Sequence, residues 1–450
     1  MLARMRFRTF LLCMVVMLAA CGASEPPAER LPNFVVIMAD DLGYGDTGAY
    51  GSTRNETPHI DRLAREGLRF TDFHSNGPMC TPTRAALLTG RYQNRLGPDF
   101  EGPLSGVSGH DNGMPHAQVT IAEGLAAAGY VSGAYGKWHL GYKPPFLPTG
   151  QGFEEFWGLG SGDGDHHSHI DRSGRRDWWH NEEQVTEAGY TAELVTNHAI
   201  EFVERNKDRP FFLYVAHLAI HFPWQGPADE GFREEGGDYN SLQKLGYFEE
   251  DKDPSGKVKE MVEAVDASVG RIIDALESNG LAEDTLVVFT SDNGGYLTYQ
   301  GGYHNISSNG PLRGQKAQVY EGGIRVPAVA WWPGRIEPGV TDQIAASFDL
   351  FPTFLELAGL PQRELDGTGL GSLLFEGGTL AERTLFWRMR DRRAVRHGEW
   401  KLVSIGENDP ELYNLREDIG ESNDLASERA EVVEMLVGEL EAWEHEVDGK

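Results

Sequence analysis

The side chains best suited to chemistry in this sequence follow the ends of short apolar runs. Asp40 and Asp41 come directly after one such run, and Asp292 and Asn293 come after another. Three carboxylates and one amide oxygen are hard ligands, which suit Ca²⁺ or Mg²⁺ better than zinc. A turn-forming Asp or Asn explains any single pair of this kind. Two such pairs, each after an apolar run, favour a metal site.

Cys80 opens the segment Cys-Thr-Pro-Thr-Arg. With Thr81 as N-cap and Pro82 as the first helical residue, Cys80 would sit at a helix N-terminus, where backbone N–H groups and the helix dipole favour an anion. A nucleophile and a cradle for an anion would then coincide. The alternative is a small buried apolar residue without a reactive role.

The runs that precede these residues predict an α/β fold. They are uniformly apolar rather than alternating, and they are separated by amphipathic helical patterns, which favours a parallel sheet covered on both faces. The runs are residues 33–39, 130–135, 211–216, 285–290 and 328–332. Ligands of such sheets bind beyond the carboxyl ends of the strands. Lys137 and His139, and likewise His217 and His221, follow two of these ends.

The chain is predicted to contain a catalytic domain at 33–360 and a smaller C-terminal α/β subdomain at 361–450. In the second part, residues 393–403 predict a hairpin that turns at His397-Gly398, and residues 432–447 predict an amphipathic helix.

The N-terminus predicts export. Residues 1–20 combine basic residues with an apolar stretch too short to span a bilayer, as in a signal peptide. Cys21 follows Leu-Ala-Ala, as in a bacterial lipobox, so residues 21–32 are expected to be a lipidated tether that anchors an exported protein in the periplasm or at the outer membrane. An ordinary cleaved signal is the alternative. Since Cys13 lies in the signal, Cys80 would be the cysteine left in the mature domain.

The formal net charge of −29 makes nucleic acid an unsuitable partner. It does not exclude a pocket for a small anionic ligand, because at a screening length of about 8 Å the charges lining a site outweigh distant surface charges.

Residues 80–91 resemble the signature of the type I formylglycine-dependent sulfatases, Cys-x-Pro-x-Arg followed by Leu-Leu-Thr-Gly-Arg. The resemblance extends to residues 136–141, 291–295, 312–314 and 320–323, and so covers most of the chain. Residues 152–169 are most similar to the branch that contains arylsulfatase B and related N-acetylgalactosamine sulfatases. The family implies an alkaline-phosphatase-like sandwich, with a large mixed but mostly parallel sheet.

The resemblance also implies a cofactor and partners. A maturation enzyme would oxidise Cys80 to formylglycine, whose hydrated aldehyde is the nucleophile. One Ca²⁺ would be held by Asp40, Asp41, Asp292, Asn293 and the modified Cys80. The substrate would be a sulfate ester, either a sulfated carbohydrate or an aryl sulfate.

The remaining roles carry over in the same way. Arg84 would hold the nucleophilic diol, and Lys137 and Lys316 would bind sulfate. His139 would be the base for collapse of the diol, while His221 would bind sulfate near the leaving oxygen as a possible acid.

Other interpretations stay open. A phosphate or phosphonate ester hydrolase shares this superfamily, and a glycan-binding surface lipoprotein without activity would need no matured cysteine. Residues 163–169 favour a substrate-facing loop in which His169 contacts the sugar, although their Asp and His content also suits a transition metal. His217 matches no family position. The C-terminal arginines could form a solvated strand face or guide an anionic sugar: Arg388, Arg390, Arg392, Arg393 and Arg396.

Overall fold

The strand at the centre of the molecule is buried on both faces. All seven residues of Asn33–Ala39 are buried, and alternate side chains enter two different apolar clusters, with Phe34 and Val36 in one and Val35 and Ile37 in the other. A strand covered on both sides needs no polar face, which explains the absence of alternation in its sequence.

The computed structural model describes residues 30–106, 111–241 and 252–449. The predicted signal peptide, Cys21 and most of the predicted tether lie outside the described residues. The described residues from Leu31 onward form one compact unit, and the boundary predicted near residue 360 stays a prediction. Within the described ranges, no helix combines the length and apolar character needed to cross a membrane.

The strands are short. They are β1 (Asn33–Ala39), β2 (Leu68–Phe70), β3 (Phe73–His74), β4 (Val131–Lys137), β5 (Glu155–Leu159), β6 (Trp179–His180), β7 (Glu183–Gln184), β8 (Phe211–Ala216), β9 (Thr285–Ser291), β10 (Thr298–Tyr299), β11 (Tyr303–His304), β12 (Ala328–Trp331), β13 (Gly339–Thr341), β14 (Ala345–Ala346), β15 (Thr384–Met389), β16 (Arg392–His397), β17 (Trp400–Ile405) and β18 (Glu411–Asn414).

The helices cover the sheets. They are α1 (Pro58–Glu66), α2 (Cys80–Thr89), α3 (Ile121–Ala126), α4 (Thr191–Asn206), α5 (Ser255–Ser278), α6 (Glu321–Ile324), α7 (Leu350–Leu357), α8 (Gly371–Glu376) and α9 (Ala430–Val447).

The main sheet has the strand order β13-β2-β12-β9-β1-β8-β4-β5-β6-β7. Its central block, β9-β1-β8-β4-β5, is parallel, whereas β12 runs antiparallel to β9 and the outer pairs β5-β6 and β6-β7 are antiparallel. The prediction of a large mixed, mostly parallel sheet is therefore confirmed.

Helices pack on both faces of this sheet. Apolar side chains of α1, α4 and α5 join one core cluster, and those of α2, α3, α7 and α8 join the other. Helix α5 buries Val258, Val262, Val265, Val269 and Ile272, a spacing of three to four residues that places them on one side.

A second, antiparallel sheet of four strands, β15-β16-β17-β18, forms the C-terminal part. The predicted hairpin is β16 and β17, in which His397 pairs with Trp400. The predicted helix is α9, whose Leu436, Leu440 and Trp443 pack against this sheet. The predicted C-terminal α/β unit is thus present as a separate small sheet with its helix.

Buried ion pairs join the two sheets. On β17, Lys401 contacts both Glu321 of α6 and Glu421, each at 2.8 Å, and the three side chains are almost completely inaccessible. A charge buried at this depth is tolerated only while its partners are present.

Replacing Lys401 by methionine should lower the free energy of unfolding by about 3 kcal/mol, because Glu421 would remain buried without its cation. Arg416→Gln is the control, since Arg416 is 80% exposed in its pair with Glu399 and such pairs contribute less than about 1 kcal/mol. Urea denaturation measures both. Equal losses in the two variants would contradict the buried-network account.

Candidate active site

The carboxyl ends of β1 and β9 bring the predicted metal ligands together. The two strands are parallel, and Ala39 pairs with Ser291, so the chain emerges from both at the same level. Carboxylate oxygens of Asp40, Asp41 and Asp292 lie within 4.8 Å of one another. These three side chains are at most 3% exposed.

Asn293 completes this group. Its amide nitrogen donates to Asp41 Oδ1 at 2.9 Å and to the carbonyl of Gly294 at 3.0 Å. Its Oδ1 is buried and has no hydrogen-bond partner among the described residues. A buried acceptor without a donor requires an explanation, and an oxygen-ligated cation between the carboxylates would supply one.

Each carboxylate also contacts a buried cation. Lys137 Nζ contacts Asp40, and Lys316 Nζ contacts Asp41. Arg84 donates two hydrogen bonds to Asp292 Oδ2, at 3.1 and 2.8 Å, and a third to the Lys137 carbonyl. These contacts of Arg84 go to Asp292 and the backbone rather than to Cys80, so its predicted hold on the nucleophile stays a prediction.

Cys80 lies between the lysines and Asp40. Its Sγ is 3.3 Å from Lys137 Nζ, 3.4 Å from Lys316 Nζ and 3.5 Å from Asp40 Oδ1. Burial, followed by the charge of Asp40, raises the pKa of the thiol to about 12. As a thiol this residue is therefore protonated at neutral pH, and the neutral thiol is a poor nucleophile.

The predicted role of Thr81 as N-cap is wrong. Helix α2 begins at Cys80, and Met79 is the N-cap. The Thr81 hydroxyl instead donates to the His139 carbonyl at 2.9 Å and accepts from Leu104 N–H at 3.1 Å. These hydrogen bonds to residues distant in sequence occupy the hydroxyl that an N-cap would use. They also tie the first turn of α2 to the segment that carries His139.

The two predicted catalytic histidines face the same cavity and are neutral. His139 Nε2 donates to the Leu104 carbonyl at 3.1 Å, which leaves Nδ1 as a buried acceptor without a partner among the described residues. His221 Nδ1 donates to the Phe222 carbonyl at 2.7 Å. Burial, followed by the charge of Lys137, holds the pKa of each well below its usual range.

A cavity of about 340 Å³ opens above these groups. Cys80, His139, His221 and Lys316 line its inner end. Its outer walls carry residues that the sequence analysis did not single out as site residues: Tyr142, Arg172, Phe222, Tyr296 and Tyr299.

The outer wall is partly charged and partly aromatic. Arg172 contacts Asp163 and lies 5.1 Å from the centre of the Phe222 ring, and Phe222 packs against Tyr299. The two tyrosines, Tyr296 and Tyr299, come just after the 291–295 motif, which was a usable signal. No sequence feature indicated Arg172.

His169 lies apart from this cavity. Its ring stacks on Trp178 at 4.5 Å between centroids, and it lines a separate cavity of about 220 Å³. Its predicted contact with a sugar stays a prediction. His217, at the end of β8, is fully buried, and its ring nitrogens lack hydrogen-bond partners among the described residues.

Asp165, close to His169 in sequence, stabilises the loop that carries this histidine. Asp165 accepts backbone N–H groups from His167, Ser168, Phe232 and Arg233. In the described ranges, no group with metal-ligand geometry includes the histidines of this segment, so the transition-metal interpretation finds no support.

Comparison with known proteins agrees with this site. The family described as Sulfatase matches residues 32–360, and the family described as N-sulphoglucosamine sulphohydrolase, C-terminal, matches residues 314–446. The chain belongs to the sulfatase family. It is a sulfuric ester hydrolase, as the sequence analysis predicted.

Curated relatives place this sulfatase among enzymes of known type. It is 38% identical to arylsulfatase A of Homo sapiens, over 83% of this chain and 74% of that protein. It is 37% identical to N-acetylgalactosamine-6-sulfatase of Canis lupus familiaris, over 86% of this chain and 74% of that protein. The second match is in keeping with the predicted resemblance to N-acetylgalactosamine sulfatases.

Solved structures share the fold. Ps i-CgsB in complex with k-i-k-neocarrahexaose has a TM-score of 0.80 and 31% sequence identity, over 92% of this chain and 93% of that one. A phosphonate monoester hydrolase of Agrobacterium radiobacter has a TM-score of 0.60 and 20% identity, over 92% of this chain and 96% of that one. At that identity the likeness concerns the fold alone.

Gly162 of the sulfatase site lies directly against the imidazole of His139. A Cβ there would lie 2.1–2.4 Å from atoms of the His139 ring, so Gly162→Ala must displace the imidazole. We expect kcat to fall by about 100-fold, the usual contribution of a general base, with the fold retained. Gly256→Ala is the control, because a Cβ there meets nothing within 4 Å. Unchanged turnover in Gly162→Ala would contradict the role of His139.

Proposed function

We propose that this sulfatase cleaves sulfate esters of saccharides, with formylglycine at position 80 and one Ca²⁺. The observation that carries the proposal is the position of Cys80 Sγ, within 3.5 Å of Lys137, Lys316 and Asp40. A nucleophile at this position would lie beside the ammonium groups of Lys137 and Lys316, which can bind the negatively charged sulfate ester.

The residues present fit a calcium ion. Asp40, Asp41, Asp292 and Asn293 would hold it, because they offer hard oxygen ligands and an amide oxygen that otherwise lacks a partner. Bound Ca²⁺ supplies positive charge beside the sulfate and can polarise an oxygen of the ester. The buried carboxylates already face Lys137, Lys316 and Arg84, so an added divalent cation would leave the site net positive and attractive to an anion.

The residues around Cys80 also fit its conversion. A protonated thiol has little nucleophilic character at neutral pH. Lys137 and Lys316 lie close enough to residue 80 to donate hydrogen bonds to oxygen atoms at that position. Hydrated formylglycine at this position would supply a hydroxyl nucleophile for the ester sulfur, and its second hydroxyl would allow sulfate to leave with return to the aldehyde. Although burial acts to lower it, the neighbouring charge of Asp41 holds the pKa of Lys316 well above the usual value, so this lysine stays charged.

His139 and His221 are suited to different proton transfers. His139 is neutral with a free Nδ1 acceptor, which suits it to remove a proton at the position of residue 80. His221 donates through Nδ1 to the Phe222 carbonyl, so its Nε2 is an acceptor until it gains a proton. An anionic ester next to His221 would favour that protonation, after which Nε2 can donate to the leaving oxygen.

The outer cavity favours a saccharide. Aromatic faces with a few polar groups are typical of sites for small organic ligands, and here Phe222, Tyr296 and Tyr299 flank Arg172 and Asp163. Ps i-CgsB, a solved relative, binds a neocarrahexaose. A cavity of about 340 Å³ suits a reacting group at or near the end of a chain rather than an extended polymer.

Peptide mass spectrometry around residue 80, on protein made with a maturation enzyme, tests the nucleophile. We expect loss of sulfur and an aldehyde that reacts with hydrazides. Cys80→Ala should lower sulfate release by about 10³-fold or more, as loss of a catalytic nucleophile does, while the fold is retained. Full activity with residue 80 entirely as thiol would contradict the proposal. If the enzyme hydrolysed the corresponding phosphate ester faster than the sulfate ester, the alternative of a phosphate ester hydrolase would be favoured.

We also propose that Cys21 carries lipid and anchors the enzyme outside the cytoplasm. The support is the order of basic residues, apolar stretch and Leu-Ala-Ala-Cys at residues 4–21. Cys21→Ala should move the protein from the membrane to the soluble fraction without a change in turnover. Retention of that variant in the membrane fraction would exclude the lipid anchor.

A further inference from the structure

The structure separates the five C-terminal arginines into two groups. Three of them are held by other side chains. Arg396 is buried with two hydrogen bonds to Asp72, both 2.6 Å. Arg388 pairs with Glu101 at 2.6 Å. Arg393 donates to the Ser404 hydroxyl. These three are accounted for by packing and ion pairing.

Arg390 and Arg392 differ. Neither guanidinium has a carboxylate partner within the ranges 30–106, 111–241 and 252–449, and Arg392 instead donates to the carbonyl of Ala317. Both line a cavity of about 260 Å³ between the turn that joins β15 to β16 and the catalytic part of the chain. In a chain with 69 acidic and 40 basic residues, two arginines that face a cavity without a carboxylate partner are unusual.

This cavity adjoins the active site. It shares Met79 and Pro103 with the active-site cavity. Met79 precedes Cys80, and Ala317, which also lines it, follows Lys316. A ligand in this cavity would therefore lie beside both the nucleophile position and a sulfate-facing lysine.

The backbone holds Arg390 in an uncommon conformation. The turn between β15 and β16 has two residues, Arg390 and Asp391, and Arg390 has a φ of 59°. Glycine or asparagine is favoured at such turn positions. A large basic residue there carries backbone strain, and strain of this kind is found most often where a side chain serves a ligand.

We propose that Arg390 and Arg392 form a second anion subsite, which binds a sulfate or carboxylate group on the sugar next to the one that is cleaved. This proposal rests on the proposed sulfatase function. Arginine presents paired donors that match both anions. Asp391 also lines the cavity, so the local charge is positive by one unit, which suits a single anionic substituent rather than a heavily charged polymer.

The test uses three disaccharides with the same cleavable sulfate. The neighbouring sugar carries a second sulfate, a carboxylate or no charge. For the wild type, kcat/KM should be higher for at least one of the charged compounds than for the neutral one. In Arg390→Gln this preference should fall about tenfold, the loss of one charge-assisted hydrogen bond. The charged disaccharide whose kcat/KM falls in Arg390→Gln identifies the anion that the subsite binds.

Arg416→Gln is the matched control, because Arg416 is an exposed arginine of the same C-terminal part that lies outside this cavity. Its preference should equal that of the wild type. An unchanged preference in Arg390→Gln, or an equal fall in Arg416→Gln, would overturn the subsite.

Failure of the sulfatase function is a separate outcome. If the wild type releases sulfate from none of the three compounds, the proposed function fails. Calorimetric titration with the charged disaccharides then still decides the subsite: weaker binding by Arg390→Gln than by wild type supports it, and equal binding overturns it.

Discussion

The site depends on keeping three carboxylates in contact with three cations inside the protein. Removing charges from water costs several kcal/mol per ion unless each is paired and hydrogen-bonded. Asp40, Asp41 and Asp292 meet that condition through Lys137, Lys316 and Arg84. Because these groups come from five separate parts of the chain, they can meet only when the parallel strands hold their register.

The register also explains where the chemistry lies. Strands β1 and β9 end at the same level, and β4 ends at Lys137, so the sheet presents acidic and basic groups at one edge. Cys80 is brought to this edge by a helix whose first turn is tied to the backbone of His139. The C-terminal sheet is joined to this arrangement through Lys401 and through Arg392, which contacts the residue after Lys316.

Much of this was predictable from the sequence, for physical reasons. The central strands are uniformly apolar and are followed by polar residues, so β1 and β8 were placed without error and β4, β9 and β12 to within two residues. The outer strands of the main sheet, β13 and β2 at one end and β6 and β7 at the other, are two or three residues long. They form because distant segments pair with them, which no local pattern reveals.

The same limit applies to the site. Asp40, Asp41, Asp292 and Asn293 follow predicted strands, so their convergence could be anticipated. The position of Arg172 in the cavity wall could not, because Arg172 reaches the cavity from a loop whose path depends on the whole fold. Thr81 shows the opposite error, in which a plausible local role as N-cap yields to a partner distant in sequence, the backbone of His139.

The most direct test of the central claim is the divalent metal content of the purified enzyme after equilibration with Ca²⁺. We predict about one Ca²⁺ per chain in the wild type and loss of both metal and sulfatase activity in Asp292→Ala, whose fold should persist by circular dichroism. Asp349→Ala is the matched control, because Asp349 is equally buried and paired with Arg383 away from the site, and it should retain the metal. A wild-type enzyme that holds no divalent cation and stays fully active in a strong chelator would contradict the account.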